Sequence, residues 1–279
     1  MKLIGPFSQI LTLAGLPDKG PIPDTAMQII TNGGIIEVDG FIVEIGNFET
    51  LRKEYSSVIV EEIIEDLVLL PGFIDCHTHI CYAGSRAADY AMRISGKSYL
   101  EIAQSGGGIW DTVTQTRSAT EDELVQLITK RALLHLQQGV TTIEVKSGYG
   151  LSMKEELKQL RAIKVANKQT EADLISTCLA MHMKPKDFEG SSTDYLNFIQ
   201  KRLWPILKAE NLTDRLDIFI EKSAFTTNEG EIYLKEAKKE GFKFTVHADQ
   251  FTSGGSEVAV NCNALSADHL EASNAEDIE

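Results

Sequence analysis

EDLVLLPGFIDCHTHI, residues 65–80, is an apolar run that ends in two histidines one residue apart. It reads as a buried strand, with Pro71-Gly72 within it and polar residues at its end. Side chains alternate along a strand, so His77 and His79 share a face with Asp75, while Cys76 and Thr78 point the other way. Two imidazoles on one face at a strand end can take adjacent positions on one metal ion. A lone pair of this kind has a plainer reading, with one ring packed and the other solvated. The metal reading therefore needs further ligands elsewhere in the chain.

Upstream, residues 1–70 read as a small β-sheet domain. IIEVDGFIVEIG (35–46) is two β-rich runs joined by Asp39-Gly40, a hairpin signal. VIVEEII (58–64) is another β-rich run, and ETLRKEY offers a short helix. Downstream, residues 71–279 change rhythm. VTTIEVKSG, ADLISTCLAMH, RLDIFIEK, FKFTVHA and NALSADHL read as strands. Between them lie helical stretches with acidic residues in their first turns, ATEDELVQLITKRALLHLQQG among them. STDYLNFIQKRLWPILKAE is helical with a break at Pro205, and SNAEDIE starts a helix capped by Ser273 or Asn274.

Alternating strands and helices imply a parallel sheet with right-handed crossovers. With the run at 65–80, six strands carry polar residues at their C-terminal ends, where an eight-stranded β/α barrel places its chemistry. The alternatives are an open, doubly wound six-stranded sheet or an incomplete barrel.

Composition narrows the partners. The chain has 279 residues, 43% of them hydrophobic, and a net charge of −14. That charge disfavours nucleic acid and anionic membrane surfaces. Four cysteines without a CxxC pair suggest a reduced, cytoplasmic setting. No signal peptide or membrane span is expected.

The histidines then carry the argument. His182, His247 and His269 each close an apolar strand, as His77 and His79 do, and only His135 falls inside a predicted helix. Five of six histidines on one rim is far more specific than the pair alone.

HxH after a first strand, with single histidines after later ones, resembles the amidohydrolase superfamily of metal-dependent barrel hydrolases. HTHICYAGSRAADYAMRISGKSYLEIAQSGGGI (77–109), EVKSGYGL (144–151), LAMH (179–182), FIEKSAF (219–225), HADQF (247–251), GGSEVA (254–259) and SADHLE (266–271) are similar, in order, to the imidazolonepropionase family. The resemblance implies an α/β fold, a TIM-like (β/α)8 barrel of the amidohydrolase type with about six of eight strands present. It also implies hydrolysis of the ring amide C–N bond of 4-imidazolone-5-propanoate to N-formimino-L-glutamate, in histidine degradation.

Position by position, the resemblance makes His77, His79 and His247 metal ligands, for zinc or iron. The family's fourth ligand, an aspartate ending the eighth strand, is expected beyond residue 279. Asp268 and Asp249 are not expected to replace it, since each neighbours a histidine and should point to the opposite face. His269 is the candidate for proton transfer, with a hydrogen-bonding role behind the ligands equally open. Arg86 is implied to clamp the propanoate, and Tyr149 to approach the substrate from a glycine-flanked loop. His182 is implied to donate to the carbonyl or the propanoate. Gln250 stands where some members carry glutamate; it can bind the ring but cannot act as a base. Lys146 is read as structural or electrostatic. The implied partners are the small-molecule substrate and a second copy of the chain in a homodimer. The competing expectations are another cyclic-amide hydrolase or aminohydrolase of the same superfamily, and an inactive fragment.

Overall fold

The computed structural model describes residues 1–17, 20–98, 101–102 and 105–278. The chain forms two compact units, Met1–Gly72 and Phe73–Glu279.

In the first unit, β1 (Lys2–Leu11), β2 (Ile29–Val38), β3 (Phe41–Asn47) and β4 (Ile59–Glu62) make a sheet in the order β3-β2-β1-β4, and β5 (Val68–Leu69) also pairs with β1. β2 and β3 form an antiparallel hairpin that turns at Asp39 and Gly40. Both residues have positive φ, 52° and 85°, which is the requirement of the tight turn that matches strand twist. A helix at Phe48–Glu54 starts on the Asn47 side chain, which accepts the Glu49 and Thr50 N–H groups. It lays Phe48 and Leu51 onto Leu3 and Ile36 as a small core.

The run at 65–80 divides where a single buried strand was expected. Val68 and Leu69 pair with Gln9 and Ile10 of the small sheet. After Pro71-Gly72 the second unit begins, and within the run only Phe73–Asp75 (β6) is strand there. Nor is β6 buried: Phe73 and Ile74 are 57% and 69% exposed, because this strand is a sheet edge that pairs with one neighbour.

The second unit holds β6, β7 (Val140–Lys146), β8 (Asp173–Met181), β9 (Arg215–Phe219), β10 (Lys243–Ala248) and β11 (Ala267–His269). All pair in parallel and in chain order. A doubly wound sheet reverses its strand order at a switch point, and this one does not. The sheet also curls. His77, just after β6, lies 2.9 Å from Asp268 on β11. Five strand spacings would hold them about 24 Å apart on a flat sheet. The result is an open half-barrel of parallel strands.

Helices at Glu121–Leu136, Met153–Ala166, Ser192–Arg202 and Thr227–Lys239 pack on these strands. Three begin with reciprocal caps: Thr120 with Glu123, Ser191 with Asp194, and Thr226 with Glu229. Helices at Ala87–Ile94 and Ile109–Ser118, between β6 and β7, were not foreseen. Pro205 sits at the start of a separate helix, Trp204–Ala209, and Asn274 rather than Ser273 accepts the Glu276 N–H at the last one. The large core joins Ile143 and Val145 of β7 to Leu124, Ile128, Leu160 and Ile163 of the helices.

Leu160→Ala should lower the unfolding free energy by about 2–5 kcal/mol in urea titrations, as a buried Leu lost from a packed core does. A change below about 0.5 kcal/mol, typical of surface positions, would contradict this packing.

Candidate metal centre

Because strand side chains alternate, one set on β7 to β11 points between strands and helices and the other into the half-barrel. The inward set is largely polar: Glu144 and Lys146 of β7, Thr177 of β8, Asp217 of β9, Thr245 and His247 of β10, and Asp268 of β11, with Ile175 and Phe219 among them. Most are fully buried. Above this layer, at the C-terminal rim, the histidines gather. His79 Nε2 lies 3.3 Å from His77 Nε2 and 3.2 Å from His247 Nε2.

Carboxylates stand behind two of the three rings. Asp268 Oδ2 is 2.9 Å from His77 Nδ1, and Asp217 Oδ2 is 2.9 Å from His247 Nδ1. A carboxylate there favours Nδ1–H and leaves the Nε2 lone pair facing the cluster. Burial opposes ionisation of Asp217, but His247 and Lys146 hold its carboxyl well below the ordinary range. Asp268 is lowered too, by the His77 contact and Lys146 acting against burial. Burial, then the neighbouring imidazoles, pushes His79 well below the usual histidine value.

This donor set fits a metal ion. Two nitrogens bound at about 2.05 Å with a tetrahedral angle between them stand about 3.3 Å apart. The Nε2 separations observed are 3.2 and 3.3 Å. Neutral imidazole nitrogens backed by carboxylates are the ligands that zinc and iron take.

Two residues face differently from the expected pattern. Asp75 turns outward: its Oδ2 is 3.6 Å from His135 Nε2 on the helix Glu121–Leu136. Strand geometry ends at Asp75, so alternation no longer ties its direction to that of His77 and His79. Asp268, expected to point away, points in. Its register partner on β10 is His247, and neighbours in register point to the same side. His269, the last residue of β11, then reaches the rim because its φ of 80° breaks the strand's alternation. Asp249 does face away, accepting the Gly255 and Ser256 N–H groups at a helix start.

Beside the cluster is a cavity of about 300 Å³, whose walls include His79, Tyr149, His182, His247, Gln250 and His269. Arg86 is not part of its lining. The Arg86 guanidinium pairs with Asp89 and donates to Thr112. The His182 ring stacks on His79 at 5.4 Å between centroids. Burial, reinforced by His247, pushes its pKa down to about 4. With Nδ1 3.0 Å from the Gly148 carbonyl, neutral His182 carries its proton on Nδ1 and turns Nε2 to the cavity as an acceptor. Donation from His182 to a substrate carbonyl or propanoate, the expected role, would require the other tautomer or the protonated ring.

Two buried carboxylates shape the loops around this cavity. Glu156 accepts the N–H groups of Gly148, Gly150 and Leu151, at 3.1, 2.9 and 2.7 Å. That fixes the turn bearing Tyr149. Gly148 has φ +108°, and a Cβ there would meet Leu179 O and His182 Nδ1 at 3.0–3.1 Å, so only glycine fits. Glu221 accepts the Phe251 and Thr252 N–H groups at 2.9 and 3.1 Å, beside Gln250. Glu156, Glu221, Asp217 and Asp268 were not foreseen as site-builders. For Glu221, Asp217 and Asp268 the available signal was an acid inside or just after an apolar strand, which needs a partner when buried; Glu156, in the first turn of the helix Met153–Ala166, gave no such signal.

Parallel strands in unbroken sequential order, with a histidine cluster on their C-terminal rim, define an amidohydrolase-type barrel. Solved structures agree on the fold: ochratoxinase from A. niger (TM-score 0.61, 13% identity, 99% of this chain and 61% of that one) and guanine deaminase from C. acetobutylicum (TM-score 0.59, 13% identity, 99% and 64%). No family model matches the chain. Imidazolonepropionase of Clostridium tetani is 38% identical over 265 residues, and that of Streptococcus pyogenes serotype M1 is 41% identical over 273. By sequence the chain is similar to imidazolonepropionases over most of its own length. These alignments cover 94% and 96% of the chain, which spans 63% and 64% of the length of the two relatives.

Glu156→Ala should orphan three backbone donors. Losses of about 1–3 kcal/mol in unfolding free energy are expected, with faster hydrogen exchange at residues 148–151. Unchanged protection of those amides would contradict the pinning role.

Proposed function

We propose that this chain carries the metal site of an imidazolonepropionase, which adds water across the ring amide C–N bond of 4-imidazolone-5-propanoate and yields N-formimino-L-glutamate. The observation that carries the reading is the His77, His79 and His247 cluster on the C-terminal rim, with His79 Nε2 at metal-ligand separations from the other two, in a chain 38–41% identical to imidazolonepropionases. His77, His79 and His247 would hold the ion. Zinc is favoured by a structural neighbour, an atrazine chlorohydrolase from Arthrobacter aurescens solved with zinc. Imidazole donors suit iron equally. When bound, such an ion makes water nucleophilic at neutral pH and polarises a carbonyl.

The remaining roles belong to the chain's own residues. His182 Nε2 accepts an N–H of the imidazolone ring. The Gln250 side-chain amide hydrogen-bonds the ring and does not act as a base. Tyr149 closes one side of the cavity over the ring. Arg86, with Asp89 on one edge of its guanidinium, keeps further donors for the propanoate. His269, 5.1–5.2 Å in ring centroid from His77 and His247, carries the proton between attacking water and departing ring nitrogen. The reading extends to a soluble cytoplasmic enzyme that acts without nucleic acid or a membrane, as a homodimer. Among the described residues no helix is long and apolar enough to cross a membrane.

The test is turnover by the metal-loaded chain. Hydrolysis of 4-imidazolone-5-propanoate is expected, with none of cytosine or dihydroorotate; the reverse preference would replace the substrate assignment. His77→Ala should cut both bound metal and turnover by more than about 100-fold, beyond the cost of losing an outer partner. Arg86→Ala should raise KM with kcat little changed, and an unaltered KM would remove Arg86 from the propanoate site.

A further inference from the structure

We infer that Lys146 is a positioning residue of the metal centre: one buried ammonium ties together the two carboxylates that orient His77 and His247. The inference rests on the metal reading above and extends it inward by one layer.

The geometry is specific to the atom. Lys146 Nζ, fully buried, lies 2.7 Å from Asp217 Oδ2 and 3.3 Å from Asp268 Oδ2. Those same two oxygens are the ones 2.9 Å from His247 Nδ1 and His77 Nδ1. Each oxygen thus bridges the ammonium and an imidazole. The chain of contacts runs His77, Asp268, Lys146, Asp217, His247, and it spans β7, β9 and β11 across the half-barrel. Lys146 Nζ also meets Glu144 Oε2 at 2.8 Å and Thr245 Oγ1 at 3.3 Å.

Three carboxylates crowd one ammonium here. Without it, Asp217 and Asp268 would repel each other in a buried space, and relief requires protonation or separation. Either would turn the rings they hold. With it, both carboxylates stay in place behind the imidazoles, and the excess of negative charge lies on the far side of the rings from the cavity. That placement makes the rings better donors to a cation. Glu144 differs in a useful way. It contacts Lys146 but stands behind no imidazole; its other partners are Thr177 and Arg215.

Cobalt(II) binding separates these roles, because its visible absorption reports ligand geometry independently of turnover. Wild type, Lys146→Met, Asp268→Asn and Glu144→Gln are compared by cobalt titration against a chelator, with circular dichroism and urea unfolding to verify folding. Lys146→Met is expected to bind cobalt about 10–100-fold more weakly and with an altered visible band, the cost of losing outer-shell support. Asp268→Asn should do likewise while leaving Lys146 paired to Asp217 and Glu144. It carries the test if Lys146→Met does not fold. Glu144→Gln removes a buried ion pair to the same lysine yet should keep affinity within about threefold, with an unchanged band. Wild-type affinity and spectrum in folded Lys146→Met, or in Asp268→Asn where the former is unfolded, would overturn the inference. An effect of Glu144→Gln equal to theirs would also overturn it, by reducing Lys146 to general stability. Wild type that binds cobalt no better than His77→Ala would instead overturn the metal reading itself.

Discussion

His79 Nε2 stands 3.3 Å from His77 Nε2 and 3.2 Å from His247 Nε2, so the three imidazoles crowd a common point, an arrangement that water or apolar packing does not reward. Much of the half-barrel serves to hold it. The rings come from the ends of β6 and β10, and the carboxylates behind them come from β9 and β11. For Asp268 to stand behind His77, the first and last strands of the sheet must meet over its C-terminal rim. The curl of the sheet and the convergence of the imidazoles are thus one constraint seen at two scales.

The interior polar layer has an energetic cost. Each buried ion gives up several kcal/mol of hydration, and such networks hold only when nearly every partner is in place. Burial alone would lower the Lys146 pKa. The Asp217 and Glu144 carboxylates outweigh it and raise the group above the ordinary lysine value. The rim uses a related device. Glu156 and Glu221 each gather backbone N–H groups from a loop, so Tyr149 and Gln250 are presented by turns fixed from below. Burial raises the Glu156 pKa even against those hydrogen bonds, whereas Glu221 is lowered, with burial overcome by the Thr252 hydroxyl and backbone N–H groups.

How much of this was legible in the sequence depended on range. Local signals were sufficient for the Asp39-Gly40 hairpin, the helix caps and the alternation of strand and helix. The position of histidines at strand ends places His77, His79, His182, His247 and His269 on one rim from sequence alone, because strand polarity fixes one functional rim. Apolar content could not place the break inside residues 65–80, since Val68 and Leu69 serve one sheet and Phe73 the other. Period-two reasoning failed at Asp75 and Asp268, where the strand ends and where register decides direction. The Arg86–Asp89 pair depends on a helix start at Ala87 that was not foreseen, and the Lys146 tie on groups far apart in the chain, which no periodicity encodes.

The most direct measurement is X-ray absorption at the metal edge of the zinc- or iron-loaded chain. One tightly held ion per chain, with three imidazole nitrogens in its inner shell at about 2.0–2.1 Å for zinc, is the result this structure predicts. A shell with fewer than three imidazoles, or one containing cysteine sulfur, would contradict it.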